Sequence, residues 1–427
     1  MTGVLATAAL ASGCGASPAP AADAPEHQPP IIFVHGNGDS SALWITTIWR
    51  FESNGYPRDR LIAMDLVPPT ARDNDAVPQA NRSSTTEARD QLAAKVDEVL
   101  ARTGSPKVAL VANSRGANTV RNYLKNGGGA ATVGWAMLGG GVNHGVFSTV
   151  GGANSEFNGA SAFMRQLNDG TEVVPGVKYL TIRSDKLDKY AQPAAGNGYE
   201  SPALRGATNV VLDGVDHRET AFSARAFAEM YRFLTGKAGT TDIAPEDAPQ
   251  LTGYVGGYAD RAATNRGVAG VTVTIYAVDG GTGARIGPAV LTKTTGPDGV
   301  WGPLSATPTA FYEFVIAAPG QPVRHVFRSP FPRSSAYVGL RLFDDAPASA
   351  GKGLIIFTRP RGYIADGRDQ HALDGKPVPG VLSGVPTSSS FRVETTDYGR
   401  GIPASLNGER LTVRAFPDEI VYAEFHY

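Results

Sequence analysis

Val108-Ala-Leu-Val-Ala-Asn-Ser-Arg-Gly-Ala-Asn-Thr-Val-Arg-Asn-Tyr-Leu124 contains a change of period. The apolar run Val108 to Ala112 reads as a buried strand, and Ala117, Val120 and Leu124 then fall on one face of a helix. Between them Asn113-Ser114-Arg115-Gly116 forms a sharp turn with a serine at its tip. Small residues, Ala112 and Gly116, flank the serine, as close approach of strand and helix backbones requires. Such a turn lifts a hydroxyl clear of the sheet edge, where it can attack an ester or amide carbonyl. A free serine is a weak nucleophile, so this reading demands a histidine base and an acid to orient it. The bare string small-x-Ser-x-Gly more often marks an ordinary turn serine, and its surroundings must decide.

Upstream, Pro30-Ile-Ile-Phe-Val34 is a buried strand that ends in the glycine-rich loop His35-Gly-Asn-Gly38. Ligands of open α/β sheets gather at such carboxyl ends. The main-chain N–H of Asn37 is therefore a candidate oxyanion donor; the alternative is a β-turn whose glycines only permit positive φ. His35 precedes the serine in the chain and reads as structural. Arg60 to Val67 forms another strand, and its Asp65 lacks the Gly-x-Gly-x-x-Gly that a ribose-binding acid would need. Ser84 and Glu87 stand in capping-box spacing before a helix striped by Leu92, Val96, Val99 and Leu100, which Gly104 stops.

Downstream, Val133 to Leu138 is a strand closed by three glycines. Residues 142–176 are long and irregular, with a helical patch at Ser161 to Leu167, and are expected to cap the active edge. The strand Val177 to Ile182 delivers two candidate acids, Asp185 and Asp188. Asn209 to Asp213 is the last strand, and Gly214-Val-Asp-His217 places a histidine in the loop after it. A helix carrying Phe222, Ala226, Met230, Phe233 and Leu234 closes the unit at Gly236. The alternation predicts the α/β class, a mostly parallel sheet flanked by helices. Serine, aspartate and histidine occur in that order, each just past a strand, which is one of the few known triad orders.

With these residues in view, residues 30–236 resemble the α/β-hydrolase fold, and within it the bacterial lipases and carboxylesterases related to the small Bacillus lipases and other class 2 lipases. The resemblance rests on His35-Gly36, on Ala112-Asn-Ser-Arg-Gly116, on Leu138-Gly-Gly-Gly-Val-Asn-His-Gly145 and on Gly214-Val-Asp-His217. It implies Ser114 as nucleophile, His217 as base, and the main-chain N–H groups of Asn37 and Arg115 as the oxyanion hole. For the acid it favours Asp188, which precedes Tyr190-Ala-Gln-Pro193, with Asp185 as the competitor. The implied chemistry requires no metal or organic cofactor. Two departures stand out: Asn113 and Arg115 replace the family's usual histidine and methionine. Arg115 is expected to bring a charge close to a site for apolar acyl chains, against a strict long-chain lipase.

Composition bounds the rest. The 427 residues leave room for two or three domains. Lysine plus arginine (39) balance aspartate plus glutamate (40), so no nucleic-acid footprint is expected. Residues 1–29 are alanine-rich and end in a Pro/Ala tract that reads as an export segment and tether. Within them Leu10-Ala-Ser-Gly-Cys14 resembles the lipobox of bacterial lipoproteins, and Cys14 is the only cysteine. No lysine or arginine precedes the apolar segment, so lipidated and unlipidated Cys14 stand as alternatives. Either way the protein is expected to be exported, extracellular or lipid-anchored to the cell envelope.

After the catalytic unit, taken as 30–238, residues 239–249 read as a linker with two prolines. Period-two runs such as Val271-Thr-Val-Thr-Ile-Tyr276 and turns such as Gly296-Pro-Asp-Gly299 predict an all-β sandwich over 250–345, similar to carboxypeptidase-regulatory or prealbumin-like modules. Residues 346–427 are expected to form a second β unit. These modules would hold the enzyme on a lipid, polymer or membrane surface. Three functions compete: a secreted lipase or carboxylesterase, a hydrolase of another acyl bond (polyester, aryl ester or amide), and a surface binding protein with an inactive hydrolase domain.

Overall fold

In a computed structural model, Met1 and residues 28–149, 151–346 and 348–427 are described; Cys14 and nearly all of the stretch read as an export segment lie outside them. The catalytic portion is a six-stranded parallel sheet of β1 (Ile31–Val34), β2 (Leu61–Met64), β3 (Val108–Asn113), β4 (Val133–Gly139), β5 (Lys178–Ser184) and β6 (Thr208–Leu212), in the order β2-β1-β3-β4-β5-β6. Alternation along each strand divides two apolar cores. Ile31, Phe33, Ala109 and Val111 face the helices α1 (Ile45–Ser53) and α6 (Ala224–Thr235). Ile32, Val34, Leu110 and Ala112 face α2 (Thr85–Thr103) and α3 (Arg115–Asn126). Each fully buried Ile, Val or Phe here contributes about 1.5–3 kcal/mol against an exposed one.

Local rules set the helix ends. Ser84 and Glu87 form a reciprocal capping box on α2, and Gly104 ends it at φ 63°. Between β4 and β5 lies the short α4 (Ala162–Asn168), inside the long segment expected to be irregular. The closing helix is two helices: α5 (Glu219–Phe222) stops at Ser223, which turns extended and caps α6 by accepting the Ala226 N–H. The chain leaves β1 towards β2 and returns to place β3 on β1's other side, so the helices after β1 and β3 lie on opposite faces. That reversal opens a crevice at the carboxyl ends of β1 and β3.

The C-terminal half corrects one expectation. Its largest sheet orders strands Leu291–Thr294, Thr272–Val278, Phe311–Ala317, Arg324–Arg328, Ile420–Glu424, Gly353–Thr358 and Ser390–Thr395. Arg324–Arg328 pairs in parallel with Ile420–Glu424, so a boundary at 345/346 would cut through the sheet. Nor does this half stand clear of the catalytic portion. Ile45 and Trp49 of α1 enter its core, and Trp49 Nε1 donates to the Ser334 carbonyl at 3.0 Å. Helix α1 is thus buried between two cores.

Candidate active site

Ser114 joins β3 to α3 with φ 54° and ψ −122°, a conformation that L-residues avoid at a cost of order 1–3 kcal/mol. Its neighbours impose it. A Cβ on Gly116 would lie 2.6 Å from the Val34 carbonyl oxygen, so only glycine lets α3 start against β1. The Ser114 N–H donates to the Gly139 carbonyl at 3.2 Å, tying the turn to β4. Asn113 Nδ2 donates to the same carbonyl at 3.0 Å and to that of His217 at 3.4 Å. The asparagine that departs from the family pattern therefore bridges the serine turn and the histidine loop. Gly116→Ala is expected to cost about 1–3 kcal/mol of stability, as overpacking does. Urea denaturation checks it, and a variant as stable as the wild type would show the turn has slack.

The two candidate acids part company. Asp188 and His217 are both buried, and His217 Nδ1 donates to Asp188 Oδ2 at 2.8 Å. The other carboxylate oxygen accepts the Tyr190 N–H at 2.8 Å, and the Tyr190 ring meets the imidazole edge-on with centroids 4.6 Å apart. With Nδ1 protonated toward the carboxylate, Nε2 carries the lone pair; it is buried and has no partner among the described residues. Asp185 instead accepts the Gly214 N–H at 3.1 Å and the Ser184 hydroxyl at 3.2 Å, and makes no bond to the imidazole. It shapes the histidine loop from β5. Gly140, at φ 55°, lets that loop close, since a Cβ there would lie 2.7 Å from the His217 carbonyl oxygen.

Ser114 and His217 line one cavity of about 230 Å³ together with Asn37, Val142, Val146, Phe147, Phe157, Tyr190 and Tyr363. The segment after β4 thus supplies apolar wall to the active edge. The main-chain N–H groups of Asn37 and Arg115 meet no acceptor among the described residues. His35 is buried under the loop, donating from Nδ1 to the Gly36 carbonyl and accepting the Leu66 N–H at Nε2. A larger cavity of about 460 Å³ between the two halves shares Asn37, Asp39 and Arg218 with the first but touches neither Ser114 nor His217.

Arg115 does not bring its charge to the cavity. Its side chain is fully buried, pairs with Glu156 at 2.7 Å, and donates to the Pro69 carbonyl, the Ser83 hydroxyl and the Ser83 carbonyl. The charges beside the cavity are Arg218 and Asp39, paired at 2.7 Å. Reading the sequence missed both, and it missed Tyr363, which reaches the cavity from the C-terminal half. The only signal for Arg218 was its place directly after His217; Tyr363 gave none.

A serine in a strained turn between strand and helix, beside a buried Asp–His pair at the switch point of a parallel sheet, defines an α/β-hydrolase. Residues 28–226 match the class 2 lipase family and residues 250–344 the lipase C-terminal domain. The match to the class 2 lipases spans a little under half of this chain and supports an ester-cleaving hydrolase. Among solved structures it is similar to Aspergillus fumigatus lipase B (17% identity, 50% of this chain and 54% of that one, TM-score 0.39). It is also similar to mature Bacillus licheniformis lipase BlEst2 (24%, 49% and 95%, TM-score 0.38) and to Bacillus subtilis carboxylesterase CesB (16%, 50% and 86%, TM-score 0.30).

Proposed function

We propose that the protein is an exported serine esterase that works through an acyl-enzyme. The observation that carries this reading is the pairing of Asp188 with His217 while the unpartnered Nε2 borders the same cavity as Ser114. His217 takes the Ser114 proton as the hydroxyl attacks the ester carbonyl. Asp188 holds the imidazole and stabilises its cation. The Asn37 and Arg115 N–H groups receive the oxyanion, the alcohol leaves with the proton that His217 returns, and water repeats the sequence to release the acid. Export rests on the alanine-rich segment and the Leu10-to-Cys14 string.

The cavity's size narrows the substrate. At about 230 Å³ it is smaller than sites for drug-sized ligands, which run roughly 300–1,000 Å³. Phe147 and Phe157 wall it, so short acyl chains fit better than long ones. With p-nitrophenyl acetate, octanoate and palmitate, kcat/KM is expected to fall from the short esters to palmitate by at least ~10-fold, about 1.4 kcal/mol. Preference for palmitate would overturn the short-chain assignment. Absence of turnover on all three would overturn the esterase reading.

A further inference from the structure

The loop that carries His217 is held from outside its own half of the protein. Asp216 and Glu219 close a reciprocal box around His217 just ahead of α5, in the manner of a capping box. Asp216 Oδ1 accepts the Glu219 N–H at 3.0 Å and the Arg218 N–H at 2.8 Å, and Glu219 Oε2 accepts the Asp216 N–H at 2.8 Å. Such boxes usually pair a hydroxyl with a carboxylate. Here two carboxylates share the box, and Asp216 is fully buried. Burial first, and the Glu219 charge next, push Asp216 up to about 6, well above the usual carboxylate range. Left alone, two adjacent carboxylates with so little water would force the turn apart or take up a proton.

What offsets this lies on one short segment of the C-terminal half. Arg359 Nη2 donates to Glu219 Oε1 at 2.5 Å, and Arg368 Nη1 to Glu219 Oε2 at 2.9 Å. Arg368 Nη2 reaches Asp216 Oδ2 at 3.3 Å, and the Tyr363 N–H donates to that oxygen at 2.6 Å. The segment is itself anchored: Arg359 Nε donates to the Tyr427 carbonyl at 2.9 Å and Arg368 Nε to Asp369 at 2.9 Å. Arg218, between the two carboxylates in sequence, lies 5.3 Å from the Tyr363 ring centroid and donates to the Pro360 carbonyl. The Tyr363 ring lines the cavity with Ser114 and His217.

We infer that Arg359 and Arg368 are positioning residues for His217, fixing the Asp216–Glu219 box so that the C-terminal half completes the catalytic site as well as any surface it serves. The inference rests on the reading of His217 as the base. A displacement of about 1 Å in a catalytic group can cost 10²-fold in rate, and the box fixes the main chain on both sides of His217.

The test compares three changes in the full chain, with kcat and KM on p-nitrophenyl acetate and melting temperature measured for each. In Arg359→Gln/Arg368→Gln, kcat is expected to fall about 10²-fold with KM within a few-fold. Arg359→Lys/Arg368→Lys keeps the charge and is expected to recover a large part of the loss. Arg333→Gln breaks a different bridge between the halves, to Glu52 at 2.8 Å and Glu246 at 3.0 Å, and is expected to lower the melting temperature with kcat per folded molecule unchanged. Should the double glutamine variant fail to fold, Glu219→Ala removes the carboxylate that both arginines hold and is expected to show the same kcat loss. Unchanged kcat in whichever of these two variants folds, or an equal loss in Arg333→Gln, would overturn the inference. A wild type without ester turnover would instead overturn the esterase reading.

Discussion

Ser114→Ala is expected to lower kcat on a p-nitrophenyl ester by about 10⁴-fold or more while the protein stays folded. The magnitude follows from the role proposed for the hydroxyl as the attacking group: its loss would leave only the oxyanion donors and binding, which in serine hydrolases retain roughly 10³–10⁴ over water. The backbone supplies a second readout. Ser114 sits at φ 54° and ψ −122°, which alanine tolerates no better than serine, so Ser114→Ala should melt close to the wild type. Ser114→Gly relieves the strain, and should be more stable than Ser114→Ala by about 1 kcal/mol, strain relief of 1–3 exceeding the entropy glycine loses on folding. Equal inactivity, with stability unchanged in Ser114→Ala and raised in Ser114→Gly, is the signature of a nucleophile held in a strained turn. Unchanged turnover in Ser114→Ala would leave the inactive binding protein as the reading.

The second large effect separates two aspartates three residues apart. Asp188→Asn keeps the shape of the carboxylate but offers Nδ1 of His217 an amide, which favours the wrong tautomer; in the serine-protease case this costs about 10⁴-fold in kcat. Asp185→Asn loses only part of the contacts to the Gly214 N–H and the Ser184 hydroxyl. Its expected cost is under about 10-fold, since a neutral amide oxygen still accepts those bonds and each neutral bond is worth about 1 kcal/mol. Steady-state kinetics on the same ester check both. A collapse of activity in Asp185→Asn alone would move the acid to Asp185 and leave the 2.8 Å contact between Asp188 and His217 without a role.

Much of this site was legible in the chain because its determinants are local. The runs Ile31 to Val34 and Val108 to Ala112 are short, apolar and followed within four residues by glycine, and the order serine, aspartate, histidine survives without any knowledge of distance. The acid was only half legible, since Asp185 and Asp188 follow the same strand and spacing cannot say which carboxylate reaches the imidazole; in the structure Asp188 does, with the Tyr190 N–H on its other oxygen. Arg115 was misread for the opposite reason. Proximity in sequence to Ser114 suggested proximity of charge, yet the side chain leaves the turn for Glu156 and Ser83, partners 41 and 32 residues away. The C-terminal boundary failed because parallel pairing between Arg324–Arg328, Ile420–Glu424 and Gly353–Thr358 leaves no trace in the period of any one strand. The clamp on Asp216 and Glu219 was invisible likewise, being two carboxylates that look like surface charge until arginines from a loop of the C-terminal half meet them.

The most direct test of the central claim is peptide-mapping mass spectrometry after the protein is incubated with an organophosphonate that traps active-site serines. Ser114 as the activated nucleophile predicts one stoichiometric adduct on the peptide containing Asn113-Ser114-Arg115, with labelling slowed in step with kcat in Asp188→Asn. An adduct on any other serine, or no adduct from protein that turns over the ester, would contradict it.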